Sequence, residues 1–223
     1  MTFSVVARCA ETGMFGVAVA SSSPAVAARC AHARAGVGAV ASQNITDPAL
    51  GPRALDLLAL GASAQQAIDV LRGGESMAFR QVLAVDAAGG SAIHSGARTL
   101  GLWAEAQGEN VACGGNLLAS REVPGAMMAA FLGASGDLGG RLLAAMRAGL
   151  DAGGEAGPVH SAGLLLVREV PWPVADLRVD WTEDCPIAAL SALWARYQPQ
   201  LDDYVTRALN PSAAPGYGVP GDP

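Results

Sequence analysis

The chain opens on a strand, a tight turn and a second strand before anything else. Phe3-Ser4-Val5-Val6-Ala7-Arg8 is β-branched and apolar, Ala10-Glu11-Thr12-Gly13 supplies turn chemistry, and Gly16-Val17-Ala18-Val19-Ala20 resumes a buried strand. Strands that are apolar on both sides need cover on both faces, so this hairpin is expected inside a layered fold. It also gives Thr2 a place, at the very start of the first strand. A small second residue lets the initiator methionine be removed, which leaves Thr2 as the terminal residue. A terminal threonine carries a hydroxyl nucleophile and an α-amine base on one residue. About a tenth of an ordinary α-amine is neutral at pH 7. A Met-Thr start is common in itself; the strand that begins at once is what sets this one apart.

The remaining pattern reads as strands and helix pairs in turn. A small-residue segment from Ser22 to Arg34 leads to a third apolar run, Gly36 to Ser42. A helix starts near Pro48 and ends at Gly61, and Ser63-Ala64-Gln65-Gln66 has capping-box form and opens another. Gln81–Asp86 and Ser91–Ser95 flank Ala87-Ala88-Gly89-Gly90 as a hairpin, and Val111–Gly115 is a further strand. Helices are expected from Val123 to Leu132 and, capped by Asp137, to Leu150. A loop, Gly153 to Pro158, precedes strands at Ser161–Arg168 and Val174–Trp181. In the latter, Leu177, Val179 and Trp181 share one face and Asp176, Arg178 and Asp180 the other, a solvated edge. One helix is expected from Pro186 to Ala208. Residues 1–209 thus form a single domain, followed by a Pro/Gly-rich tail over 210–223. The order suits an α+β fold of two stacked, mainly antiparallel sheets with outer helices, an αββα sandwich of four layers.

Composition removes several chemistries. All 14 basic residues are arginine, which excludes a Schiff-base or general-base lysine and a phosphate-binding Walker lysine. A net charge of −6 argues against nucleic acid or an anionic membrane as partner. Cys9, Cys30, Cys113 and Cys185 form no Cys-x-x-Cys pair, and with His32, His94 and His160 they give no metal-ligand spacing. No cofactor motif is present, Gly36-x-Gly38 lacking the third glycine of a dinucleotide fingerprint. Without a signal-type leader or a spanning apolar run, a cytoplasmic protein with free thiols is expected. Low-charge, alanine-rich helices suit helix-to-helix contact, so a homo-oligomer is expected.

Polar residues gather at strand ends. Ser21 closes the second strand, which returns to the chain start and would bring its hydroxyl to Thr2. Gln43 ends the third run, and Gly115-Asn116 ends Val111–Gly115. Amides and glycine-exposed backbone N–H groups there can orient a carbonyl or donate to an oxyanion. Turn formation is the plain alternative for each. His94, in an expected strand, reads as a hydrogen-bonded core or edge histidine rather than a catalytic base.

With Thr2 starting a strand, Gly16 to Ser21 as its partner and Gly36 to Ala41 following, the opening resembles N-terminal-nucleophile hydrolases, proteasome β-type subunits in particular. A closer resemblance is to a bacterial family of that superfamily, domain of unknown function 1028. It is carried by Thr2–Arg8, Ala33–Val40, Gly51-Pro52-Arg53, Arg80-Gln81-Val82, Gly115–Ala119, Ser161-Ala162 and Asp176–Asp180. The resemblance implies the αββα sandwich and an amide-cleaving site on Thr2. Proteasome-like enzymes place a lysine beside the nucleophile; here Arg8 or Arg34, or hydrogen bonding alone, would serve. The expected activity is hydrolysis of a non-peptide C–N bond in a small-molecule amide, with Thr2, Asn116 and Ser21 catalytic and Gln43, Gly115, Arg8 and Arg34 binding substrate. A non-catalytic binding module with the same sandwich is the first alternative. A cysteine hydrolase using Cys30 with His32, or Cys113, is the second.

Overall fold

In a computed structural model, residues 1–219 are described, and the final residues of the expected tail, 220–223, lie outside them. Among the described residues, ten strands form two antiparallel sheets. The first has six strands in the order β10-β9-β2-β1-β8-β7 and the second four, β3-β4-β5-β6. The strands are β1 Thr2–Arg8, β2 Phe15–Ser21, β3 Ala31–Arg34, β4 Gly38–Asn44, β5 Arg80–Asp86, β6 Ser91–Ser95, β7 Ala104–Gly108, β8 Val111–Asn116, β9 Ser161–Val167 and β10 Ala175–Val179. The helices are α1 Ala27–Cys30, α2 Leu50–Ala59, α3 Ala64–Arg72, α4 Val123–Gly133, α5 Leu138–Asp151, α6 Pro186–Tyr197 and α7 Leu201–Leu209.

The two-sided strands sort their side chains by parity. Phe3, Val5 and Ala7 of β1 join Met127, Phe131, Leu142 and Met146 of α4 and α5 in one core. Val6 of the same strand packs with Val17, Ala39, Ala41, Leu83 and Val85 between the sheets. Val40, Val82 and Ala84 turn the other way, onto Ala54, Leu55, Ile68 and Leu71 of α2 and α3. The helix pair α4–α5 approaches β1 closely because position 149 is glycine. A Cβ there would lie 2.7 Å from Met127 Cγ and 3.3 Å from Phe3 Cε2. Phe3 is thereby fixed, and with it the start of β1.

Two strands were not expected. β3 and β7 are edge strands; β3 is short, and β7 (Ala-Glu-Ala-Gln-Gly) has no β-branched or aromatic residue. An edge strand with one wet face leaves little hydrophobic signal. The single helix expected from Pro186 to Ala208 is two, α6 and α7, joined by a 3-10 turn at Gln198–Gln200. Pro199 lacks the N–H that continuing the α-helix would need. Part of the expected tail packs back on α7. Arg207 Nη2 donates to Pro215 O at 3.0 Å and its guanidinium covers the Tyr217 ring at 4.0 Å. No helix among the described residues is long and apolar enough to cross a membrane.

Candidate active site

β1 is paired on both sides, so Thr2 stands between two neighbouring strands. Thr2 is opposite Asn116 in β8, the β1–β2 register of Phe3 with Ala20 sets Thr2 beside Ser21, and Ser21 is opposite Ser161 in β9. Directly opposed residues share a face. Asn116, Thr2, Ser21 and Ser161 therefore form one polar row across four strands, on the face turned to the second sheet. All four are buried.

Two members of the row, Thr2 and Ser21, meet at the Met1 carbonyl. Ser21 Oγ donates to Met1 O at 2.5 Å, and the Thr2 hydroxyl reaches the same oxygen and lies 3.5 Å from Ser21 Oγ. Ser21 is itself held by the Ser23 N–H at 3.0 Å, and its Oγ is 2.8 Å from Ser23 Oγ. Arg29 Nη2 donates to Ser23 Oγ at 2.9 Å. A guanidinium thus reaches the Thr2 hydroxyl through two serines.

The loop 153–157 closes this end of the sheet. Its backbone meets the chain beyond β8, with Ala119 N–H donating to Gly154 O and Ala156 N–H to Leu117 O. Its side chain at Glu155 reaches the other flank, where the Ser22 N–H donates to both carboxylate oxygens at 3.1 Å. Glu155 is 4% exposed. Burial pushes its carboxyl up to about 7, against the opposing pull of the chain's α-amine, the Ser22 hydroxyl and N–H, and His160. His160 donates its backbone N–H to Ser21 O at 2.9 Å, and its ring stacks on Trp181 with centroids 4.3 Å apart.

Beneath Thr2, a chain of side-chain amides joins the two sheets. Ser4 Oγ donates to Gln43 Oε1 at 2.7 Å, Gln43 Nε2 to Gln81 Oε1 at 2.8 Å, and Asn116 Nδ2 to Gln81 Oε1 at 3.2 Å. Backbone carbonyls set the polarity of the chain, since a carbonyl can only accept. Gln43 Nε2 faces Gly114 O at 3.3 Å, and Gln81 Nε2 faces Gly115 O at 3.2 Å. Gln81 must then present its oxygen to Asn116, so Asn116 turns its nitrogen to Gln81. Its fully buried Oδ1 is left without a partner.

Thr2, Ser21 and Asn116 are thus brought together as expected, with Gln43 below them, but several expected roles need correction. Asn116 has a free acceptor where an oxyanion donor was expected. Gln43 Nε2 is spent on Gln81 and Gly114. Gly115 pairs with Phe3 on one side and Ala104 on the other, so it offers a ligand no open backbone. Arg8 ends β1, roughly 20 Å along the strand from Thr2, and donates to Asn110 Oδ1 at 3.1 Å. Arg34 pairs with Gly38, roughly 16 Å along β4 from Gln43, and binds Asp56 at 2.8 Å. It lines a cleft of about 500 Å³ with Trp172, Pro173 and Glu169, at the far end of the sheets. We assign that cleft no chemistry, because no hydroxyl, thiol or imidazole lines it. Arg29, Glu155, Gln81 and Ser161 were not among the expected site residues. Gln81 and Ser161 lie in stretches that carry the family resemblance, and the lone acid in Gly153-Gly154-Glu155-Ala156-Gly157 was a local signal.

The cysteine alternatives lack an activating base. Burial pushes the Cys113 thiol far up. Cys30 is also raised by burial, its Sγ lies 3.7 Å from Thr46 Oγ1, and His32 Nε2 is turned to Arg29 O. His94 Nε2 lies 2.9 Å from Met77 O, a hydrogen-bonded edge histidine as expected. Among the described residues, no group of three or more His, Cys, Asp or Glu side chains is placed to hold a metal ion.

Comparison with known proteins gives one family. Residues 2–190 match the model of the family described as Family of unknown function (DUF1028). The crystal structure of protein SPO2555 from Silicibacter pomeroyi, assigned to the same family, is similar at a TM-score of 0.81 and 30% identity, covering 87% of this chain and 88% of that one. Anbu (ancestral beta-subunit) from Yersinia bercovieri is similar at a TM-score of 0.39 and 15% identity, over 91% and 97% of the two chains. That similarity is too low to carry an argument. No curated protein matches the chain.

Proposed function

We propose that this chain, which belongs to the DUF1028 family, is an N-terminal-nucleophile amidohydrolase with an αββα sandwich. It cleaves the C–N bond of a small-molecule amide once Met1 is removed. Thr2 Oγ attacks the carbonyl, the Thr2 α-amine takes up the hydroxyl proton and passes it to the leaving nitrogen, and water hydrolyses the ester. The observation that carries the reading is the contact at Met1. An acyl carbonyl already lies against the Thr2 hydroxyl and accepts from Ser21 at 2.5 Å. Ser21 is therefore the oxyanion donor in this reading. A donor of this kind is worth about 3–4 kcal/mol in the transition state.

The freed amine would fall on the Asn116 side. Arg8 N–H donates to Asn110 O and Cys9 N–H to Met14 O. Antiparallel ladders alternate, so even residues of β1 bond toward β8, Thr2 among them. The ladder gives that nitrogen the Asn116 backbone carbonyl, and the unpartnered Oδ1 of the same residue is the further acceptor in this reading for the α-amine's additional hydrogens.

Intact-mass analysis and para-nitrophenyl acetate test this reading. The purified, untagged protein is expected to lack Met1 and to gain one acetyl group on Thr2. Thr2→Ala abolishes the adduct with the fold intact. A Thr2→Ala protein acylated as readily as wild type would remove Thr2 from the chemistry and favour a non-catalytic module.

A further inference from the structure

We infer that the volume Met1 occupies is an acyl subsite for α-aminoacyl amides, with Glu155 as the partner of the substrate's free α-ammonium. This deepens the reading of Thr2 as nucleophile and rests on it. In a threonine the nitrogen and Oγ are joined through Cα and Cβ alone, and a shift of an acyl group from one to the other passes through a five-membered ring. An acyl group esterified to Thr2 Oγ therefore occupies nearly the space of one bonded to Thr2 N. Met1 is such a group, and its surroundings describe what fits.

Its carbonyl is held by Ser21 Oγ. Its side chain lies by Gly157, where a Cβ would be 3.8 Å from Met1 Cε and 3.9 Å from Sδ, so an unbranched apolar side chain is accommodated. The third feature is Glu155, whose two oxygens share the N–H of Ser22, with the Ser22 hydroxyl beside them. Among the described residues it closes no ion pair within 4.0 Å, the Met1 α-amine included; an acyl group moved from Thr2 N to Thr2 Oγ carries its ammonium to a different place. Buried carboxylates are ordinarily paired, because an isolated buried charge is costly. The chain's own α-amine, on Met1, is the positive group whose charge reaches Glu155 first, with His160 adding to it when protonated. Loss of Met1 moves the α-amine to Thr2, on the β8 side, and leaves beside Glu155 the space of one aminoacyl group. An acyl group bearing an α-ammonium restores both the volume and the charge.

The reaction balances. Thr2 Oγ bonds to the acyl carbon, the C–N bond breaks, and the hydroxyl proton leaves with the amine. Water then splits the ester to a free α-amino acid and restores the hydroxyl.

The test uses mature, Met1-free protein and three para-nitroanilides: of L-methionine, of N-acetyl-L-methionine, and of the desamino analogue. The first is expected to exceed the other two in kcat/KM by about a hundredfold, the size of losing one partner of a buried charge pair. Glu155→Gln brings that ratio below about tenfold. Calorimetry on the wild-type protein is the second measurement, with L-methionine expected to bind in preference to its N-acetyl derivative. Equal turnover of the three anilides, or equal binding of the two acids, overturns the subsite even where para-nitrophenyl acetate still acylates Thr2. Preferential binding of L-methionine with no acylation of Thr2 by any ester or anilide supports the subsite and overturns the nucleophile.

Discussion

At the scale of single residues, the site is defined by what each polar atom is already doing. The Ser21 hydroxyl donates to a carbonyl, Asn116 Oδ1 has nothing to accept, and Glu155 has Ser22 alone for its two oxygens. Thr2→Ser keeps both oxygen and amine, so para-nitrophenyl acetate acylation should persist at a reduced rate, the lost methyl loosening the attack geometry. Ser21→Ala should slow deacylation and acylation by about a hundredfold or more, read by stopped-flow release of nitrophenol. Glu155 also makes stability depend on pH. Its carboxyl titrates at about 7 in the fold against 4.5 ordinarily, so the folded chain holds that proton more tightly than the unfolded one. Its contribution is fully present below about pH 4.5 and is lost as pH rises through about 7. Glu155→Gln should therefore gain stability relative to wild type between pH 5 and 8 in urea titrations.

At the scale of elements, the site depends on β1 being central and on the amides that tie it to the second sheet. Gln81 is the junction: it accepts from Gln43 and Asn116 and donates to Ser95 and Gly115. Gln81→Leu strands Asn116 Nδ2 in a buried space and leaves Gln43 Nε2 with Gly114 O alone. It should cost a few kcal/mol in chemical denaturation, since each unsatisfied buried group costs about 1–3 kcal/mol. A more peripheral element gives a smaller expectation. Ser63 and Gln66 form a reciprocal cap at the start of α3, and Ser63→Ala should lower stability by about 1 kcal/mol with no effect on acylation. Among the expected elements that are present, this capping box, the Asp137 cap of α5 and the β5–β6 hairpin carry their signal in neighbouring residues.

At the scale of the whole molecule, the sequence by itself determined the layered α+β arrangement. Strands apolar on both faces require cover on both, and helix caps and turns are written in neighbouring residues. It also placed Thr2 at the head of a strand and marked Ser21, Gln43 and Asn116 as strand-end polar residues. Tertiary structure alone decided what those residues can do. Arg8 and Arg34 are close in sequence to strands of the site, yet strand length carries them to its far end, while Arg29 arrives through Ser23. Glu155 meets Ser22 across 133 residues, a contact no local pattern encodes. The polarity of Asn116 was set by two backbone carbonyls on β8 acting through glutamines of the opposite sheet. A hydrogen bond has direction, and the direction of each amide follows from partners that only folding brings within 3.5 Å.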